Sequence, residues 1–127
     1  MDVEIFTICD AATEHAGKLN ILGTFNAIQA RSFPCVHASC AVALRLRFYQ
    51  QEKGEHKIRL LFVDADGNNI FPPIDGGANV QVPIPETLSV VNLVVNLQGL
   101  KFDRPGDYAV NLDLDGEGIA CLPFFVR

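Results

Sequence analysis

Two stretches of alternating apolar and polar residues, on either side of one turn, constrain the fold of this chain most. Between Val91 and Gln98, every second residue is Val or Leu, and the intervening positions are mostly Asn or Gln. Between Tyr108 and Asp115, Tyr, Val and Leu alternate with Ala, Asn and Asp. A period of two with one apolar face is typical of a half-buried antiparallel strand. The segment 86–118 therefore predicts two strands that fold as a hairpin about the turn 104–107.

Similar patterns recur along the whole chain, with Gly, Pro and Asp-Gly turn signals between them. Their alternation predicts that Leu44, Leu46 and Phe62 point inward. Residues 73–85, with two glycines and three prolines, predict a loop that carries one short strand. Together, the patterns predict eight or nine strands and little or no helix. Strands at this spacing are typical of two packed antiparallel sheets, so we expect an all-β, two-sheet antiparallel β-sandwich, immunoglobulin-like or jelly-roll-like. Residues 1–127 should form a single sandwich domain. The predicted strands cover residues 3–11, 19–27, 40–48, 57–62, 69–71, 79–82, 87–115 (the hairpin) and 119–126.

Composition and charge argue against two classes of partner. The chain carries 15 acidic and 10 basic residues, for a net charge of −5, whereas binding to a nucleic-acid backbone needs a basic face. No apolar run approaches the roughly 18 residues that cross a membrane. The acidic start, Met1 to Glu4, does not resemble a secretion signal. We therefore expect a cytoplasmic protein with free cysteines and with neither a nucleic-acid nor a membrane partner.

The segment Gly106 to Val110 resembles the tyrosine corner of immunoglobulin-like sandwiches. There a glycine, a tyrosine and a core residue alternate at the start of a late strand, and the tyrosine hydroxyl bonds nearby backbone. The resemblance implies this role for Tyr108, which would pin a corner between the two sheets at Pro105 and Gly106. It is local, since Val110 stands where an antibody domain has cysteine, Arg104 replaces the usual acid, and the chain has no tryptophan.

A wider set of segments resembles a family of small bacterial all-β proteins of unknown function. The resemblance implies a stand-alone sandwich and carries no assigned activity. The segments that carry it are Ile8 to Ala12, Lys18 to Phe25, Asp64 to Gly67, and the spaced residues Phe102, Pro105, Gly106 and Tyr108.

Cys35, His37 and Cys40 bring three potential zinc ligands within six residues. A structural zinc site needs four ligands, commonly from two separate turns, and the chain has no second cluster. We therefore expect this segment to lead into a strand, with Cys40 in the core and no metal bound.

Aspartates in the predicted turns raise the possibility of a calcium site. The run Asp64 to Asn68 resembles the start of a calcium loop, but its glycine is fourth instead of sixth, so a β-turn explains these residues more simply. A sandwich could still gather turn aspartates at one rim. This alternative is a small ligand- or calcium-binding module formed by Asp64, Asp66, Asp113 and Asp115.

No catalytic motif is present in the sequence. It contains no Gly-x-Ser-x-Gly, no His-Glu-x-x-His and no phosphate-binding loop. We therefore expect a protein that is not an enzyme, with no catalytic, cofactor-binding or metal-binding residues and no cofactor.

Apolar residues on both faces of several predicted strands suggest a function. A sandwich strand hides only one face, so a second apolar face needs a partner or a covering loop. The leading hypothesis is a protein–protein interaction module, or a homo-oligomer that self-associates through an edge strand. The residues that motivate it are Phe6 and Ile8, Leu61 and Val63, and Val90 and Val94.

Overall fold

The computed structural model describes all residues from 1 to 127 and places most of them in nine β-strands. One 3-10 turn, Gln50–Glu52, interrupts the strands, and no helix has the length and hydropathy needed to cross a membrane. The strands are β1 Asp2–His15, β2 Lys18–Thr24, β3 Ala27–Ile28, β4 Cys35–Tyr49, β5 Gly54–Asp64, β6 Ile74–Val80, β7 Leu88–Phe102, β8 Gly106–Leu114 and β9 Glu117–Val126.

Two packed sheets contain these strands. The first sheet has the order β2-β1-β4-β7, and the second has the order β3-β9-β8-β5-β6. All neighbours are antiparallel except β3 and β9, which pair in parallel over two residues. The predicted all-β sandwich with eight or nine strands is confirmed.

The predicted hairpin of residues 87–115 is wrong in its pairing. Strand β7 pairs with β4 in the first sheet, whereas β8 pairs with β5 and β9 in the second. The turn between β7 and β8 therefore carries the chain across the sandwich. A period of two identifies the buried face of a strand, not the strand beside it. The best partner for the 15-residue β7 is the equally long β4.

Several other predicted boundaries also differ from the structure. The single strand predicted at 19–27 is divided into β2 of the first sheet and β3 of the second. The strand predicted from residue 40 begins at Cys35, directly after Pro34, and the strand predicted at 69–71 is only a single bridge between Val63 and Asn69. The strand predicted at 79–82 is β6, which begins at Ile74. Its glycines, Gly76 and Gly77, suggested a loop, yet both lie in register with β5, where small residues are compatible with an edge strand.

One continuous core fills the space between the sheets. The side chains predicted to point inward on β4 and β5 do so: Leu44, Leu46 and Phe62 are fully buried. At the end where the chain crosses between sheets, the Phe102 ring packs edge-on against the rings of Tyr108 and Phe124. The distances between ring centroids are 4.9 Å and 6.0 Å. These three aromatic rings join β7 of the first sheet to β8 and β9 of the second.

Tyr108 makes the hydrogen bond that its sequence context predicted. The hydroxyl donates to the carbonyl oxygen of Arg104 at 2.6 Å, and the ring is 5% exposed. The bond spans the turn that joins β7 to β8. Tyr108 therefore fixes the position at which the chain passes from one sheet to the other.

The β1–β2 hairpin covers the outer face of the first sheet. Only the first part of β1, Asp2–Cys9, pairs with β4; the rest pairs with β2 and forms an arm of residues 10–24. Apolar side chains of the arm pack against the outward-facing residues of β1, β4 and β7, and at its tip Asn92 Nδ2 donates to the Gly17 carbonyl at 3.0 Å. Three outward-facing residues are thereby fully buried: Cys9, Ala41 and Ala43.

The arm changes the interpretation of the apolar residues that suggested a partner. Phe6 and Ile8 pack into the main core, so they do not form a second face. Val94 packs against the cluster beneath the arm. On the second sheet, Val63 is only 9% exposed. Much of the apolar surface that suggested a partner is therefore covered by the chain itself.

Candidate functional site

The edges of the two sheets differ sharply in their protection against pairing with another chain. A free edge strand presents unpaired N–H and C=O groups, and proteins usually shorten such strands or interrupt them with charges, prolines or bulges. Strand β3 has two residues; β2 has seven and contains Lys18 and the positive-φ Gly23. Strand β6 also has seven residues and lies between Pro73 and Pro83. Three of the four edges therefore carry protection.

Strand β7 is the exception among the edges. It has 15 residues and its only hydrogen-bonded neighbour is β4. It contains no proline, and no charged residue occurs before Lys101. Its one positive-φ glycine, Gly99, follows the run Leu88–Gln98, which pairs with β4 without a break. The main-chain groups on its free side pair with no other strand of the chain. An edge of this length and composition is a template for an added strand.

A narrow cleft opens beside the free edge of β7. It lies where the edge strands of the two sheets, β6 and β7, face each other without hydrogen bonding. Its volume is about 150 Å³ and its walls are largely apolar. At the mouth, Gly76 and Gly77 of β6 have no side chains to narrow it. The other residues that line it are apolar except for Asp75: Leu44, Ile58, Leu60, Ile74, Leu93, Val94 and Val95.

Polar contacts hold the outer face of β7 against its neighbours. Asn92 Oδ1 accepts a hydrogen bond from Arg45 Nη1 at 3.1 Å, while its Nδ2 binds the tip of the arm. Arg45 Nε also donates to Glu4 at 2.8 Å, and Arg47 forms a second ion pair with Glu4. Both arginines are therefore paired with an acid, and β7 is anchored on its face while its edge stays free.

A second polar cluster surrounds His56 at the end of the second sheet where β8 turns into β9. Its Nδ1 lies 2.7 Å from Asp115 Oδ2, its Nε2 lies 2.5 Å from the Glu52 carbonyl oxygen, and its ring stacks on Phe48. Both ring nitrogens face acceptors, so the arrangement suits an imidazolium that donates twice. The Glu52 carbonyl and the Asp115 carboxylate raise the pKa of His56 above its ordinary value.

The His56 cluster should make stability depend on pH near neutrality. A raised pKa in the folded chain means that the contribution of His56 is fully present below the unfolded pKa of about 6.5 and is lost as pH rises through the folded pKa. We therefore expect denaturant titrations to show that the free energy of unfolding falls as pH rises from the unfolded pKa of His56 through its folded pKa. His56→Gln should flatten that slope, whereas His15→Gln, on the exposed arm, should preserve it. An unchanged slope in His56→Gln would contradict the assignment.

The cluster has a structural explanation that needs no ligand. Asp115 sits in the tight β8–β9 turn at a φ of 52°, and its Oδ1 accepts from the Lys57 amide at 2.8 Å. That amide, and then His56, lower the pKa of Asp115. Asp115 and His56 together hold the turn against β5. The cluster therefore stabilises one end of the second sheet.

Cys35, His37 and Cys40 lie along one strand, β4, and do not converge. Cys40 is in the core, 4% exposed, as the sequence predicted, and burial raises the pKa of its thiol to about 11. The His37 ring packs 5.7 Å from the ring of Phe25. No group of three or more His, Cys, Asp or Glu side chains is positioned to hold a metal ion.

The four turn aspartates lie at opposite ends of the second sheet. In the β5–β8 register, Asp64 faces Tyr108, whereas Ile58 faces Leu114 at the other end, beside Asp113 and Asp115. Asp113 faces Arg59, five residues from Asp64 and so roughly 17 Å away along the strand, and Asp115 lies farther still. A calcium rim formed by all four carboxylates is therefore incompatible with the register.

Asp64 performs a different task within its turn. Its Oδ1 accepts hydrogen bonds from the Asp66 amide at 3.0 Å and the Asn68 amide at 2.9 Å. These bonds lower the pKa of Asp64, the Asn68 contribution being the largest. The predicted β-turn at Asp66 to Asn68 is confirmed, and the carboxylate of Asp64 closes the turn.

The sequence pattern indicated self-association through an edge strand but did not identify which strand it was. The signal was present in the uncharged, proline-free run from Leu88 to Leu100. Such a run also suits a central strand, so only the sheet order identifies it as an edge. The cleft lined by Gly76 and Gly77 has no recognisable pattern in the sequence, because its walls come from four separate strands.

Comparison with known proteins places the chain in a family and finds a similar fold within a solved structure. Residues 4–127 match the model of DUF6941, a family of unknown function, and the chain belongs to that family. A search of the curated proteins gives no match. The fold is similar to part of the Pseudomonas fluorescens alkylpurine DNA glycosylase AlkC, solved bound to DNA containing an abasic site analog. The TM-score is 0.50 at 10% identity over 80% of this chain. This chain spans 28% of the glycosylase, and the likeness concerns the fold alone.

Proposed function

We propose that this member of the DUF6941 family is a protein-interaction module that binds its partner by strand addition at the free edge of β7. The observation that carries the proposal is the length of that edge and its lack of protection against pairing. It is 15 residues long, without proline or any charge before Lys101, in a sandwich whose other three edges are short and protected. Proteins usually block an unprotected edge of this kind, so its retention argues for use.

Strand addition suits the chemistry of β7. Main-chain hydrogen bonds to the free side would supply affinity, and pockets for alternate side chains would supply specificity. In an added strand, every second side chain points toward the space between the sheets. One such side chain would meet the cleft of about 150 Å³ between β6 and β7, with its apolar interior. A partner strand with an apolar residue at that position fits best.

The test introduces a charge at the edge and the same charge elsewhere. Asn96→Lys places a lysine on an exposed position of β7, where natural edge strands carry lysine to prevent pairing. Asn20→Lys makes the matched change on an exposed position of β2, in the arm. The wild-type chain is used to capture a partner from a lysate of the source cells, and affinities are then measured with the purified partner. We expect Asn96→Lys to weaken binding by about ten-fold or more, which corresponds to about 1.4 kcal/mol.

Asn20→Lys should bind as the wild type does. The proposal fails if Asn96→Lys binds as tightly as the wild type, or if the wild-type chain recovers no protein, a second copy of itself included.

A further inference from the structure

We infer that the strand added to β7 is the β7 strand of a second copy, in antiparallel register centred on Val94. This inference rests on the proposed function and specifies its partner. The outcome is a two-fold symmetric dimer in which the first sheets of two chains join into one continuous sheet. Four strands from each copy would contribute to it.

The edge of β7 is self-complementary. Residues 90–93 and 94–97 are the same tetrapeptide, Val-Val-Asn-Leu, repeated without a gap. When β7 meets its own copy antiparallel about Val94, the two Val94 side chains oppose each other. Asn92 then opposes Asn96 of the second copy, so amide faces amide. Directly opposed side chains are the unit of sheet stabilisation, and these pairs match in polarity.

The inner face of the same register matches equally well. Leu93 would oppose Val95 of the second copy, and Val91 would oppose Leu97. All four residues point toward the core of their own sandwich, where Leu97 is 2% exposed and the other three are half-buried. Pairing would therefore extend the apolar layer of one sandwich into that of the other, beside the cleft.

Charge also favours a second copy over a partner of another kind. The charged residues that give the chain its net charge of −5 all lie outside the run from Leu88 to Leu100. Like charges therefore do not oppose each other where the two strands meet. Because this run has no charged side chain, it also offers a charged partner no ion pair. A two-fold contact is the commonest arrangement of identical chains, and it closes both free edges with one interface.

The arm does not obstruct this edge. It crosses the outer face of the first sheet and reaches Asn92 through the side-chain amide. Side chains project from the faces of a sheet, whereas the N–H and C=O groups project within its plane. The arm therefore stabilises the face of β7 and leaves its hydrogen-bonding side available.

Engineered cysteines test the register directly. The background is Cys35→Ser with Cys121→Ser, which removes the two native thiols that are not buried. Opposed residues in an antiparallel pair have Cα atoms about 4.5–5.5 Å apart, within the range that a disulfide spans. Val94→Cys should therefore form a cross-linked dimer on mild oxidation. Val90→Cys and Gln98→Cys oppose each other in this register, so they should cross-link only when the two variants are mixed.

Sedimentation of the wild-type chain accompanies the cross-linking and does not depend on any variant folding. We expect a monomer–dimer equilibrium at micromolar concentrations that Asn96→Lys shifts to monomer and Asn20→Lys leaves unchanged. A dimer in which Val94→Cys fails to cross-link would overturn the inference. A strict monomer that still binds a different protein at β7 would also overturn it, while the proposed function stands. A monomer that binds nothing at β7 would refute both.

Discussion

Replacing Phe102 with alanine should lower the free energy of unfolding by about 3–5 kcal/mol, the cost of truncating a fully buried phenylalanine. Phe102 is 0% exposed and is the last residue of β7, where the chain leaves the first sheet. Its ring packs against the rings of Tyr108 and Phe124, both in the second sheet, with centroids 4.9 Å and 6.0 Å away. The substitution would therefore leave a cavity at the point that joins the two sheets.

Chemical denaturation measures this loss, and two controls bracket it. Phe102→Leu keeps most of the volume and should cost less than about 1.5 kcal/mol. Val36→Ala removes an apolar side chain that is 63% exposed, beside Lys101 in the same pair of strands, and should change stability by no more than about 0.5 kcal/mol. A loss in Phe102→Ala no larger than that in Val36→Ala would show that the aromatic contact does not hold the sheets together.

Replacing Ala43 with aspartate should lower the free energy of unfolding by about 3 kcal/mol or more at neutral pH, because it buries a charge without a partner. Ala43 is on the outer face of the first sheet, yet it is 0% exposed because the arm covers it. The arm must either lift away or bury the carboxylate. Denaturant titration should show the loss, and trypsin should cut more rapidly after Lys18, next to the tip of the arm.

The control is the same substitution on the outer face of the other sheet. Ala109 lies near the middle of β8, opposite Val63 and Pro123, and it is partly exposed whereas Ala43 is fully buried. Ala109→Asp should cost about 1 kcal/mol, the span of β-propensity. Equal losses in the two variants would mean that the arm does not seal the first sheet.

The alternating residues of the chain identified the buried faces correctly, because a period of two reports burial directly. Leu44 and Phe62 point into the core as predicted. The predicted pairing of β7 with β8 was wrong, because alternation carries no information about the neighbouring strand. The crossing between the sheets near Pro105 was instead implied by the tyrosine-corner resemblance at Tyr108.

The second apolar face was recognised in the sequence, but its covering was not. Cys9, Ala41 and Ala43 are small side chains on an outer face, and nothing in their local pattern says what packs against them. The arm covers them because β1 continues beyond β4 and pairs with β2. Such a contact depends on strand length and twist, which composition does not determine.

The interaction hypothesis survives in a narrower form. Val94 of the first sheet no longer calls for a partner, since it packs against the cluster that the arm covers. The free backbone of β7 now carries the argument. The central claim is thus about one strand, Leu88–Phe102, and about main-chain groups instead of side-chain patches.

Amide hydrogen exchange of Leu88–Phe102 tests this claim most directly. It should be measured on the wild-type chain at high dilution and again in its complex, whether that complex is a dimer or a pairing with another protein. We predict that alternate amides on the free side of β7 exchange rapidly in the dilute chain and become protected in the complex, while the edges of β3 and β6 exchange unchanged. A complex that forms without protecting β7 would contradict the account.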